Sequence, residues 1–326
     1  MSRRGWLLLA LAAASAGALL AAPLVGMRFT PLPAAFSSPS SGQESEIFWR
    51  LRVPRVAVSY VAGAALALAG VVFQAMFRNP LATPFTLGVA SGAALGASAA
   101  IRLGIAWSFA GISSTALFAF AGAMASTLLV YGVGRLRQGT TPAAMLLAGV
   151  AVSFLFSSVN LFIQYVSDFT QTFRIVRWLM GGLEVVGFRS VVEMLPLAVA
   201  GALTAALSLR EMNLLATGEE VAASRGVDVP AVRRRLFVAV SLMVGGVVAV
   251  CGPIGFVGLM VPHICRLLVG DDARVLAPAS FLFGGIFLTV CDAAARTLIA
   301  PAEIPVGVIT ALLGGPFFLW LLTRNR

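Results

Sequence analysis

The stretch Gly252-Pro253-Ile254-Gly255-Phe256-Val257-Gly258-Leu259, followed by Pro262-His263-Ile264-Cys265-Arg266, decides the reading of this chain. Downstream come Asp292-Ala293-Ala294-Ala295-Arg296, then Glu303-Ile304-Pro305-Val306-Gly307, then Gly314-Gly315-Pro316-Phe317-Phe318. All are set in apolar runs of membrane length, and a plain anchor needs none of them. Ionisable residues inside apolar spans are costly, so Asp292 and Arg296 point to a protein-lined pathway or a membrane-edge contact. The interval Leu236–Pro262 is too long for one span and short for two, with Gly252-Pro253 in its middle. Broken helices are tolerated at membrane depth only where protein or a cavity covers the freed backbone.

The rest of the sequence agrees. Of 326 residues, 59% are hydrophobic and only 11% charged. A soluble fold could not hide that apolar surface, so the chain is an all-α polytopic membrane protein. No polar stretch is long enough for a separate soluble domain, so residues 1–326 form a single transmembrane domain. A G-x-x-x-x-G-K-[ST] phosphate loop is absent, which excludes an ATPase domain of that type within the chain. Cys251, Cys265 and Cys291 lie in or beside apolar segments at spacings that fit no zinc or cluster pattern; they read as small buried hydrophobes.

A helix needs about 20 apolar residues to cross the hydrocarbon core. Candidate spans are Gly5–Met27, Val56–Phe77, Pro84–Ile101, Ser113–Gly134, Pro142–Val166 and Val191–Leu209. Leu236–Val250, Phe256–Val269, Val275–Cys291 and Ile304–Thr323 follow, giving about ten helices. The first run is too long for the core of a signal peptide and reads as a retained span behind Arg3 and Arg4. Cleavage near Ala21-Ala22 is the other reading. With the N-terminus inside, the arginines show a modest cytoplasmic excess and both termini are cytoplasmic. The arginines left outside, among them Arg28, Arg50, Arg52 and Arg55, call for an acidic partner on that face. Val56–Val166 and Leu236–Thr323 each hold four spans in opposite orientation, an inverted repeat of the kind transporters use, read here from hydropathy alone.

The longest polar interval between spans is Arg210 to Arg235. Thr217 is placed to cap a short helix whose first turn carries Glu219 and Glu220, and Gly226 to end it. Both a solvated loop helix and a docking helix for a cytoplasmic partner fit this pattern. Asn79-Pro80-Leu81-Ala82 reads as a helix-stop turn. The series Gly63, Gly70, Gly88, Gly92 and Gly96 reads as close helix packing. His263, the single histidine, reads as structural rather than as a ligand.

At this point the chain resembles the permease subunits of the ABC importers for ferric siderophores, haem and vitamin B12. The resemblance rests on Leu51-Arg52-Val53-Pro54-Arg55, Gln74-Ala75-Met76-Phe77-Arg78-Asn79-Pro80-Leu81-Ala82, Leu87-Gly88 with Gly92-Ala93, and Trp178-Leu179-Met180-Gly181-Gly182. The Gly218–Gly226 segment and the C-terminal series complete it, so it covers nearly the whole chain.

It implies a vitamin-B12-importer-type architecture of ten helices per subunit, a homodimer with the pathway at its axis, and residence in the inner membrane. It also implies two cytoplasmic ABC ATPase subunits, which bring ATP and Mg, and a periplasmic substrate-binding protein. The chain itself would carry no cofactor, no nucleic acid and no catalytic residue. The short helix becomes the ATPase-coupling helix, about residues 214–226, with Leu214, Gly218, Glu219, Glu220, Ala222, Arg225 and Gly226 at the contact. Arg52, Arg55 and Arg296 match positions that receive acidic residues of the binding protein. The pathway would draw Val159, Asn160, Ile163 and Gln164 from the fifth span. The implied cargo is a metal chelate: a ferric siderophore first, with haem or cobalamin as the other members of the class.

Two other classes remain to be weighed. A secondary transporter without an ATPase would place ionisable groups at mid-membrane for ion coupling, whereas Asp and Glu here sit mostly at segment ends. An intramembrane enzyme would need a metal set or a Ser–His pair inside the spans, and neither occurs.

Overall fold

The computed structural model describes residues 3–26, 42–109, 112–136 and 142–324. Met27 at the end of the first expected span, Arg28 and Arg137 lie outside them. Helix α1 is Arg3–Ala21, and α2 (Gln43–Ile47) runs through a π turn, Phe48–Arg52, into α3 (Val53–Phe77). Then come α4 (Val89–Arg102), a two-stranded ribbon (β1 Ser108–Phe109, β2 Ile112–Ser113), α5 (Ser114–Leu136) and α6 (Pro142–Tyr165). A surface helix α7 (Phe169–Leu179) precedes α8 (Arg189–Ala206). The polar interval holds α9 (Leu209–Thr217) and α10 (Glu219–Ser224). The C-terminal part is α11 (Val229–Cys251), α12 (Val257–Val269), α13 (Ala273–Thr297) and α14 (Val306–Arg324).

Seven of these helices are long and apolar enough to cross a membrane, and α12 and α14 are shorter apolar helices. Helix α4, where a further span was expected, is 14 residues long, about 21 Å. The start of that expected span is instead the 3-10 turn Pro84–Leu87.

Helix α3 is the centre of the bundle: 83% of its apolar window is buried, against 17% for α1 and for α6. It packs on α13, α12, α11 and α8. Its partners come close because the contacts are glycine on backbone. A Cβ on Gly70 would stand 1.8 Å from the Gly258 carbonyl oxygen, and one on Gly63 2.2 Å from that of Gly284. Gly92 and Gly122 meet in the same way between α4 and α5. In lipid, where burial of apolar surface does not drive helices together, such close approach supplies the van der Waals contact. Gly88 differs from the rest of its series: it has φ +79° and forms the link between the 3-10 turn and α4.

The two four-helix halves have matching sets of packing partners. Helix α3 contacts α12 and α13, and its counterpart α11 contacts α4 and α5. The pairs α4·α5 and α12·α13, and α4·α6 and α12·α14, match likewise. The turn after α3 forms as expected, with one refinement. Arg78 takes the left-handed conformation that ends the helix, and Asn79 Oδ1 accepts the Leu81 N–H at 2.9 Å.

Candidate functional site

Charge gathers at the two ends of α13. At its C-terminal end the Asp292 carboxylate is fully buried and shared. Arg55, in the first turn of α3, donates Nε to Asp292 Oδ1 at 2.9 Å and Nη1 to Glu303 Oε2 at 2.7 Å. Arg296, one helical turn on, places Nε 3.1 Å from Asp292 Oδ2 and donates Nη1 to the Val25 carbonyl at 3.0 Å. Arg52 donates Nη1 to the carbonyls of Pro23 and Leu24 at 3.3 and 3.2 Å. The intrahelical Asp292–Arg296 pair is therefore part of a wider network that ties α3 and α13 to the end of α1. Arg52, Arg55 and Arg296 line one cavity of ≈ 880 Å³ with Glu303 and Glu184. Arg296 is only 5% exposed, whereas Arg52 and Arg55 are both half-buried. Nearby, Arg177 on α7 donates to Glu184 at 2.5 Å, which holds its guanidinium more firmly protonated than usual.

The other end of α13 meets the polar interval. The capping expected of Thr217 is not what forms. Thr217 closes α9 by donating Oγ1 to the Leu214 carbonyl, and Gly218 (φ +138°) is the bend before α10. Only a residue without a Cβ takes that φ readily, so the cap position went to glycine. Gly226 (φ +81°) ends α10 as read. The Glu219 carboxylate pairs with the buried Arg233 guanidinium of α11, so Glu219 anchors α10 to the bundle. Ala222 is buried, while Glu220, Val221, Ser224 and Arg225 are exposed. Of the expected contact residues, Glu220 and Arg225 thus face outward, and Glu219 and Ala222 face in. Leu214 is half-buried.

A tie absent from the sequence reading joins this element to α13. Asn213 donates Nδ2 to Asp272 Oδ1 at 2.7 Å, and the Ala273 N–H donates to Asn213 Oδ1 at 2.7 Å. Asp272 is the N-cap of α13 and also accepts the Arg274 N–H at 3.0 Å. The Asn213 bond, then the Arg274 N–H, hold its carboxyl below the usual range, and Arg4 adds to this. Asn and Asp flanking helix starts were the available signal, but 59 residues separate them.

The expected pathway residues on α6 are not all on one face. Val159 is exposed and Ile163 half-buried, whereas Asn160 is buried and Gln164 donates back to the Asn160 carbonyl at 3.4 Å. The open face of α6 is instead aromatic and aliphatic, with Phe154, Leu161, Phe162 and Tyr165. His263 packs its ring edge-on against Phe317 of α14.

Three glycine-bearing segments meet beside the Asp292 end, where Gly182, Cys251 and Gly252 line a cavity with Arg55 and Glu303. The Gly182 N–H donates to the Cys251 carbonyl at 2.8 Å, and the Gly307 N–H to the Gly181 carbonyl at 3.2 Å. A Cβ on Gly181 would stand 2.3 Å from the Pro253 oxygen, one on Gly252 2.5 Å from the Trp178 oxygen, and one on Gly307 2.2 Å from the Met180 oxygen. The break at Gly252-Pro253 is thus covered by the chain's own backbone.

Known proteins resemble the chain as a whole. The model of the FecCD transport family matches residues 7–324. A cobalamin import system permease from Halobacterium salinarum is 42% identical over 294 residues, covering 90% of this chain and 77% of that protein. A hemin transport system permease from Yersinia pestis is 39% identical (86% and 84% covered), and an Fe(3+)-citrate import permease from Bacillus subtilis 37% (87% and 83%). A solved metal-chelate-type ABC transporter in an inward-facing conformation superposes with a TM-score of 0.85 at 29% identity, over 97% of this chain and 98% of that one.

Proposed function

Because the chain belongs to the FecCD transport family, the permeases of ABC importers, we propose that it carries a metal chelate inward between two docking surfaces at opposite ends of α13. One observation supports this most. Helix α13 is a single 25-residue rod, about 37 Å long, fixed at one end to α9 through Asn213–Asp272 and bearing Asp292 and Arg296 at the other. A rigid rod passes a rigid-body movement from one end to the other.

The exposed strip of α10, with Glu220, Val221 and Arg225, is the surface for a separate ABC ATPase, which brings ATP and Mg. The Arg52, Arg55 and Arg296 cavity is the surface for an external substrate-binding protein with acidic contact residues. Each chain has one α9–α10 element, so two ATPases require a homodimer, with the translocation path at its axis. The N-terminal end of α1 lies beside Asp272, where Arg4 acts on that carboxylate. It shares the α10 side, and the ATPase reading of α10 assigns that side to the cytoplasmic face of the inner membrane. Val159 and Ile163 are the members of the expected lining set open enough to face a path. A ferric siderophore is the cargo to test first, with haem and cobalamin beside it.

Affinity purification of the tagged permease from native membranes tests the proposal. An ATPase subunit should accompany it, and uptake of a ferric chelate by the reconstituted complex should require ATP. A permease that purifies alone and moves the chelate on an ion gradient would be a secondary transporter, and the proposal would fall.

A further inference from the structure

We propose that a basic cavity between α8, α9 and the start of α11 holds the phosphate headgroup of an anionic phospholipid. The cavity, of ≈ 850 Å³, opens at the end of the bundle that carries α10. Four guanidinium groups line it, from Arg210, Arg225, Arg234 and Arg235. The two acids on its wall are both engaged. Glu211 accepts from Arg235 Nη2 at 3.2 Å, and Asp228 accepts the Ala231 N–H at 3.1 Å as the cap of α11. Among the described residues, Arg210, Arg225 and Arg234 have no ion-pair partner, and all three are exposed. Four cations against two anions leave an excess of positive charge that nothing in the pocket balances.

Below the arginines the wall is apolar. Val238 and Leu242 of α11 descend from the arginines at one-turn spacing, and Val238 is 53% exposed. Next to Thr204 of the same wall, α8 leaves Leu203 and Leu207 exposed. Cations at the rim with an open apolar ridge below them suit a phosphate joined to acyl chains. Basic pockets between spans at a membrane surface attract anionic headgroups, each Lys or Arg adding to the affinity. A soluble phosphate would use only the rim, and a protein carboxylate would leave the ridge idle. Its edge shares Arg225 with the strip proposed for the ATPase, but the site itself needs only that this end of α8 and α11 lies at a membrane surface.

The test is native mass spectrometry of the detergent-solubilised protein given equimolar dioleoyl-phosphatidylglycerol and dioleoyl-phosphatidylcholine. The wild type should retain the phosphatidylglycerol in preference. The variant Arg210→Gln with Arg234→Gln should retain it on the order of tenfold less. Arg210→Lys with Arg234→Lys should keep most of it, which separates lost charge from lost fold. Removing Arg102 and Arg174, exposed elsewhere, should change nothing. Equal retention of the two lipids would overturn the proposal, as would equal losses from the two arginine pairs. Displacement of the lipid by millimolar inorganic phosphate would assign the pocket to a soluble anion. Unchanged lipid retention in the Gln variant, with loss of a co-purifying ATPase, would assign it to a protein contact. Either result would overturn the lipid assignment.

Discussion

Replacing Asp292 by Asn probes the charge network at the C-terminal end of α13 most directly. The carboxylate is 0% exposed and serves two guanidinium groups, Arg55 at 2.9 Å and Arg296 at 3.1 Å. Asn keeps the shape and one acceptor but removes the charge, so Arg296, 6% exposed at its side chain, loses its carboxylate partner. Removing one partner of a buried pair costs about 3–5 kcal/mol, because the orphaned charge stays buried. Arg55 fares better, since Glu303 holds it at 2.7 Å. The control is Glu303→Gln. That side chain is 41% exposed and water replaces it, so the loss should stay below about 1 kcal/mol.

Heat denaturation of detergent-solubilised protein, followed by size-exclusion fluorescence, ranks the two. The Asp292→Asn shift should be at least about three times that of Glu303→Gln. Adding Arg296→Met to Asp292→Asn should recover part of the loss, because the second change removes the orphaned cation. An Asp292→Asn shift no larger than the control, or a double variant worse by simple addition, would refute the reasoning.

Four further outcomes follow from the geometry. Glu220→Arg should weaken ATPase co-purification several-fold while leaving thermal stability near wild type, whereas Glu219→Arg should lower stability by exposing Arg233 to a like charge; the reverse ranking in pull-down and melting would undo the assignment of faces. Arg52→Glu should lower binding-protein affinity and flatten its dependence on salt, because screened rim charges act chiefly on encounter; a salt series on both proteins reads this directly. Gly70→Ala drives a Cβ into the Gly258 carbonyl and should cost about 1–3 kcal/mol or more, whereas Gly17→Ala, with nothing within 4 Å, should be near neutral in the same melting assay. The Asp272 carboxyl is held below its ordinary pKa when folded, so its contribution is full above the unfolded value and fades as pH falls through the lower folded one; the stability gap between wild type and Asp272→Asn should close on acidification below about pH 4.

The apolar runs that became α3, α11 and α13 could be read from sequence because membrane helices satisfy their own backbone, so length and hydropathy suffice. Both glycines flanking α10 carried a signal, yet the cap was assigned to Thr217. A side-chain cap and a glycine bend compete for the same place, and only the backbone angle decides. Arg52, Arg55 and Arg296 were identifiable by the family resemblance, with the run Arg28–Arg55 standing out against the cytoplasmic bias. How far each is buried was not, because that depends on carbonyls from the end of α1 and on Glu303. The Asn213–Asp272 tie and the open face of α6 were out of reach for the same reason: both depend on which helices become neighbours, and single-sequence periodicity carries no such information.

The crossing of Gly181, Gly252 and Gly307 bears on how the protein is made. Translation delivers these residues in order, and the Gly182 N–H has no Cys251 carbonyl to meet until some 70 further residues have entered the membrane. The Gly181 carbonyl waits longer, for Gly307. A nascent chain halted after α13 therefore holds unpaired backbone at the joint, a costly state in lipid. Arrival of the last helix brings the Gly307 N–H to the Gly181 carbonyl, so this joint is complete only when α14 is in place.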